Sequence, residues 1–370
     1  MTENGIIIIV LIVLTFLCYV LTLLFGKEEK SISNALITAG ITLVVSCIPE
    51  FPEMMLAFTA SKEGTSIPDS EGEYWLRSII GLIVIVLGIV LNIKLKERIY
   101  ILNMYGIAAQ KDIDEVKVIK ELHLSEYKIK EQIIDFTFFF DGSSMKRYAN
   151  SEICQHIEKS TNKFSAKVTD QKGSCFTGMS PIPYTVYAGT FLENAKITRY
   201  FEYCNANGGY YYELKKASKK DKKAIPDLKL TFPTTPTSNS TEIVLAISIS
   251  HEVRQQDLSQ FAMDIVTLSL DEPKDNVICF TQQLDSYKQT IYKCLETDLF
   301  SKYPNLKTIH IAASIPSCMS IEIGKSIGVR TNRVQDIVVH HYISSNNPPY
   351  SFGLYVSGSK KGQLYHYGGQ

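Results

Sequence analysis

The sequence predicts transmembrane α-helices at the N-terminus, three of them or two, followed by a soluble α/β domain made of two like halves. Three observations lead there. Uncharged apolar runs crowd into the first hundred residues of a 370-residue chain. Beyond residue 131, continuous apolar strands end in small polar residues. A proline-led segment that closes on a glycine eight residues later occurs twice, at Pro181–Gly189 and Pro316–Gly324.

The helices come first. Gly5 to Phe25 is 21 residues without a charge, and at about 1.5 Å per residue it matches a hydrocarbon core of about 30 Å. It carries Glu3 before it and no small-residue cleavage site after it, so it reads as a span rather than a signal peptide. Ile79 to Ile93 is a second run. Asn34 to Ile48 meets Pro49 and Pro52 and reads as a kinked span or a re-entrant segment. Lys94, Lys96 and Arg98 place the end of the last span in the cytoplasm, and the acidic stretch Ser61–Tyr74 suits the outside. The expected location is the inner (cytoplasmic) membrane, with a lipid bilayer as partner and the soluble domain in the cytoplasm. The ranges read as 1–96 transmembrane, 97–131 connector and 132–370 soluble, the last in halves of about 132–225 and 240–370.

Composition removes other classes. Lys+Arg and Asp+Glu are both 38, which excludes a globally basic nucleic-acid binder and a charge-rich disordered chain. The eight cysteines form no C-x-x-C and suit free thiols in a reducing compartment. His340-His341 looks like a metal pair, but strand neighbours point to opposite faces.

Catalytic signatures fail one by one. Gly324-Lys325-Ser326 ends like a P-loop but has Met319 where the pattern needs glycine. His251-Glu252 opens like H-E-x-x-H but meets Gln255, and Ser180 is followed by a proline, so no nucleophile elbow forms. No catalytic residue, metal or cofactor is expected; a membrane-tethered nucleotide-processing enzyme and a non-lytic scaffold or receptor stay as alternatives.

Ile133–Phe140 and Glu242–Ile249 read as equivalent buried strands, the first ending in Asp141-Gly142-Ser143-Ser144 and the second in Ser250-His251. The proline-led segments read as helices, since proline suits the first turn and a preceding serine suits the cap. Each is followed by two strands, at Tyr200–Tyr203 and Tyr210–Leu214 in one half and at Ile337–Tyr342 and Tyr350–Tyr355 in the other. Lys215–Ser240, with six lysines between Lys215 and Lys223, reads as the joint. In open α/β sheets ligands bind at the carboxyl ends of strands, where helix N-termini favour phosphate. The candidate ligand residues are therefore Asp141, Gly142, Ser143, Ser144, Ser180, Pro181, Ser250, His251, Arg254, Ser314, Pro316, Ser317 and Lys325. They would form one pocket of rough two-fold symmetry, suited to a cyclic ligand with repeated phosphates.

The segments MSPIPYTVYAG, RYFEYCNANGGYYYEL, EIVLAISIS, IHIAASIPSCMSIEIGKSIG and DIVVHHY…YSFGLYV resemble the SAVED domain of effectors in cyclic-oligonucleotide-based anti-phage signalling (CBASS), over roughly Ile133–Val356. The resemblance implies two fused CARF-like Rossmannoid units, a cyclic oligonucleotide ligand rather than a nucleic acid duplex, a nucleotide-making synthase as functional partner, and ligand-driven homo-oligomerisation. With membrane helices attached, it implies an effector that disrupts the cytoplasmic membrane in abortive infection.

Overall fold

A computed structural model describes residues 30–45, 71–94, 97–105, 113, 115–125, 127–141, 144–145, 149–168, 173–204, 209–329 and 336–365. The chain divides into two compact units, residues 1–98 with 126–128, and residues 99–125 with 129–370.

The first unit contains α1 (Lys30–Val45) and α2 (Glu71–Lys94), which pack on each other with Gly40 against Gly81. Ile79, Leu82, Ile83, Val86 and Leu87 of α2 are exposed. No helix among the described residues is long and apolar enough to cross a membrane. The transmembrane part of the fold class and the multi-pass inner-membrane location are therefore corrected. The physical reason is length. α1 has 16 residues, about 24 Å of helix. The uncharged part of α2, Ser78–Ile93, is also 16 residues, because Glu71, Glu73 and Arg77 occupy its first turns. Gly5–Phe25 and Pro49–Phe58 lie outside the described residues.

The second unit begins with β1 (Glu97–Tyr105), α3 (Val116–Glu121), β2 (Tyr127–Asp135), a small hairpin of β3 (Phe140–Asp141) and β4 (Ser144–Met145), and α4 (Ala149–Lys167). Then follow β5 (Ser174–Gly178), α5 (Ile182–Gly189), β6 (Arg199–Cys204), β7 (Tyr210–Glu213), α6 (Lys219–Ala224) and β8 (Lys229–Thr231). The remainder is β9 (Glu242–Ser248), β10 (Ile265–Ser269), α7 (Thr281–Lys293), α8 (Leu299–Lys302), β11 (Thr308–Ser314), α9 (Ser317–Val329), β12 (Asp336–Tyr342), β13 (Tyr350–Tyr355) and β14 (Leu364–Tyr365).

Two sheets result, ordered β2-β1-β5-β6-β7 and β14-β13-β12-β11-β9-β10-β8. Read from β10 to β13, the second repeats the first. β1, β5 and β6 are parallel with β7 antiparallel, and β9, β11 and β12 are parallel with β13 antiparallel. The duplicated α/β reading of this region therefore stands. β9 is central, with β10 and β11 beside it, so Ile243 to Ser248 are buried on both faces, which is why the run is continuously apolar.

The partner assigned to β9 is corrected. Its counterpart is β1, not Ile133–Phe140. The strand β2 stops at Asp135, Phe136–Phe139 turns, and Asp141 pairs with Ser144 in the hairpin. The 97–131 connector is likewise strand, helix and strand of the first sheet. The 215–240 joint is also structured: a Ser218–Asp221 capping box starts α6, and β8 returns antiparallel to β10.

α5 is buried from Pro183 to Gly189 because it lies between the halves, packed on α9 and on β12. α9 in turn meets β5 and β6 of the first half. The two helices cross at the glycines that end the sequence repeat. A Cβ on Gly189 would stand 2.7 Å from the Gly324 Cα, and a Cβ on Gly324 would stand 2.8 Å from the Gly189 Cα. One apolar core runs through both halves, from Leu102 and Phe176 to Ile311 and Leu354.

Candidate functional site

A cavity of about 580 Å³ opens where the carboxyl ends of both sheets' strands meet. Ser180, Pro181, Ser250, His251, Arg254, Ser314, Pro316 and Ser317 line it, so eight of the sequence-chosen residues come together. Gly142 and Ser143 lie outside the described residues, and Asp141 and Ser144 sit in the β3–β4 hairpin after β2. Lys325 does not reach this cavity. It lies more than two turns into α9, where its Nζ is 2.9 Å from the Glu322 carboxylate. Burial works to raise the Glu322 pKa, but Lys325 and Lys288 outweigh it and hold the group below its ordinary value. Tyr200 of β6 donates to the same carboxylate at 2.6 Å.

The local roles also differ from the sequence reading. Ser180 does not cap α5; Pro181 holds that position, and the Ser180 hydroxyl is 2.6 Å from that of Thr185. Ser314 is a clamp. Its carbonyl accepts from the Ile249 and Ser250 amides at 3.0 and 2.9 Å, and its hydroxyl accepts from the His251 amide at 3.1 Å. The 250–251 turn is thus tied to the end of β11.

Cations and carboxylates are interleaved on the wall. The Arg254 guanidinium donates to Asp257 at 3.0 Å and to the Tyr342 hydroxyl at 3.3 Å. The His251 Nε2 is 3.5 Å from Asp275, and both side chains are mostly exposed. These groups stand where a polyanion would meet the rim, with carboxylates already balancing them.

Sequence reasoning missed the deepest acid. Glu202, on β6 of the first half, lines the cavity and is 7% exposed. Its Oε1 accepts a short hydrogen bond from the Cys318 amide at the start of α9, in the second half. Burial pushes its pKa up to about 7, against the lowering effect of hydrogen bonds from Cys318 and Ser317. Strand alternation was the one available signal, since Glu202 falls between apolar neighbours on a strand flanking a buried helix.

His340 and His341 also line the cavity from opposite faces of β12. His340 stacks on His310 of β11, with 2.9 Å between Nε2 and Nδ1, and burial holds the His340 pKa well below the ordinary imidazole value. His341 packs between Phe140 and Phe352.

Two like α/β halves thus share a cavity at their joined strand ends. The chain belongs to the SAVED family: residues 157–356 match the SMODS-associated and fused to various effectors sensor domain. No sequence match was found among curated proteins. Similar solved structures include the Acinetobacter baumannii Cap4 SAVED/CARF-domain containing receptor with the cyclic trinucleotide 3'3'3'-cAAA, at 14% identity and a TM-score of 0.42, covering 89% of this chain and 66% of that one. The same receptor with 2'3'3'-cAAA matches at 14% identity and a TM-score of 0.41, covering 89% and 65%. This chain therefore spans just under two thirds of the length of those receptors.

Proposed function

We propose that this chain is a receptor of anti-phage signalling that binds a cyclic oligonucleotide in the cavity between its two halves. The observation that carries the reading is the convergence of both sheets' strand ends on one cavity of about 580 Å³, within the usual range of about 300–1,000 Å³ for small-molecule sites. Family membership supports the ligand class. Binding is non-catalytic in this reading, so the ring is recovered intact. The ligand is supplied by a partner nucleotide synthase, and occupancy drives self-association, both expectations that follow from the SAVED resemblance.

The test is thermal denaturation of the full chain against a panel of cyclic di-, tri- and tetranucleotides that includes 3'3'3'-cAAA. A ligand selective for the folded form, at one hundred times its Kd, adds about 2.7 kcal/mol. A Tm rise with one ring, recovery of that ring unchanged by chromatography, and a larger sedimentation coefficient support the three parts separately. No shift with any ring rejects the receptor reading.

A further inference from the structure

The two halves offer corresponding positions at the ends of β6 and β12. Thr177 pairs with Phe201 in the first half, and Ala312 pairs with His340 in the second. The next residue along is Glu202 in one strand and His341 in the other. Each of these strands packs on the helix of the opposite half. His341 and Tyr184 of α5 share Phe140 and Phe352 as ring neighbours. Glu202 bonds directly to the first turn of α9.

A helix N-terminus attracts anions because its first amides are free and its dipole is positive there. At α9 that place is taken by the chain's own carboxylate. A phosphate seated beside it would put two like charges together in a poorly solvated wall, which is strongly unfavourable. A hydrogen-bond donor meets the opposite situation. A carboxylate offers about four acceptor positions; the Cys318 amide engages Oε1, and the Ser317 amide and the Cys318 thiol also donate to the group, which leaves room for one further donor. Glutamate and aspartate accept in this way from the exocyclic amine of cytosine.

We propose that Glu202 closes the mouth of α9 to phosphate and reads an exocyclic amino group of a ligand base, making it a specificity-determining residue. The phosphates then fall to the rim near His251 and Arg254. This inference rests on the receptor reading above and names the part of the ring that its deepest acid selects. Glu202 is faced by Tyr212 from β7 and by Cys318 from α9, and both feel its charge. Neither brings a cation that would neutralise the carboxylate and admit a phosphate.

The experiment has two arms on the full chain at pH 8. In the first, inorganic phosphate is titrated against wild type, Glu202→Ala and Glu202→Gln in thermal denaturation. Phosphate raises the Tm of a folded variant by more than that of wild type, whose response is confined to the rim, if Glu202 excludes the anion; equal response in all three proteins overturns the exclusion. Glu202→Gln keeps an acceptor for the Cys318 amide and serves if the alanine variant does not fold. In the second arm, 3'3'3'-cAAA and the same ring with hypoxanthine for adenine are compared by calorimetry. Wild type is expected to favour the amino-bearing ring by about tenfold or more, since a site built for one hydrogen bond rejects the analogue that lacks it. Glu202→Gln is expected to lose or invert that preference. Equal binding of both rings by wild type, or an unchanged preference in Glu202→Gln, overturns the base reading. If wild type binds neither these rings nor any other of the panel, the receptor reading falls instead, and the phosphate arm still decides whether Glu202 excludes the anion.

Discussion

At the start of α9 the first half of the molecule supplies a carboxylate, Glu202, while at the matching point of β12 the second half supplies an imidazole, His341. The strand order around the two positions is the same. Both helices follow a proline and meet at a glycine. The difference teaches that duplication fixes where groups stand, and single residues at strand ends fix what they do. A ring of repeated units bound here meets two unlike ends. A second asymmetry lies deeper. Tyr200 ties the first half to Glu322, whose carboxylate also holds Lys288 and Lys325. The corresponding residue of β12 is Val339, which is buried and apolar.

The symmetric part of this comparison breaks at the glycines. Gly324→Val places its branches against the Val186 carbonyl and the Gly189 backbone. Overpacking of this kind is expected to cost about 3 kcal/mol or more, read as a lower denaturant midpoint. Gly189→Val is expected to cost a similar amount. Because the two positions touch, the double variant should cost less than the sum of the two; strict additivity would mean the halves do not meet there.

The asymmetric part is sharpened by pH. The Glu202 pKa is raised from 4.5 to about 7 by burial. A raised folded-state pKa means that the folded form holds the proton more tightly. The associated stability is fully present below the unfolded value and is lost as pH rises through about 7. The loss between pH 4.5 and 8 is at most about 3 kcal/mol from this group. Glu202→Gln should flatten that slope and become the more stable protein at pH 8. An unchanged slope would mean that Glu202 is not the buried acid.

Smaller effects separate the two cation sets. Lys325→Met removes one partner of a buried carboxylate that keeps Lys288 and Tyr200. It should cost about 1 kcal/mol and leave ring affinity within twofold. A large loss of affinity would return Lys325 to the cavity. Arg254→Ala removes a half-exposed pair with Asp257 and should change stability by less than about 0.5 kcal/mol. It is expected to weaken ring binding by about tenfold, measured by calorimetry, because a rim phosphate loses its guanidinium.

Much of the second half was legible in the sequence for local reasons. β9 is buried on both faces and reads as a continuous apolar run, β11 and β12 read as apolar runs interrupted by histidines, and proline and glycine punctuate α5 and the first turns of α9. The first half was harder. β1 carries Glu97 and Arg98 at its start and follows Lys94 and Lys96, so it reads as a flank rather than as the twin of β9. Ile133–Phe140 misleads because its four phenylalanines lie in the turn and the hairpin that follow Asp135 instead of extending β2. The cavity was legible where it is built from strand ends, at Ser180, Ser250 and Ser314. Lys325 was misplaced because it follows the helix crossing at Gly324 and pairs with Glu322 instead of facing the strand ends. Glu202 was missed because, despite its place between apolar neighbours, a lone acid in an aromatic strand reads as a solvent-facing residue until the opposite half is placed over it. The runs in α1 and α2 misled by composition, since the uncharged stretch of each is 16 residues or fewer.

The crossing at Gly189 and Gly324 has one mechanical outcome. Main chain rests directly on main chain, with no rotamer between them to absorb a displacement. A shift of one helix at that point would be passed to the other with no side chain to take it up, which couples α5, and the β12 strand it packs on, to α9.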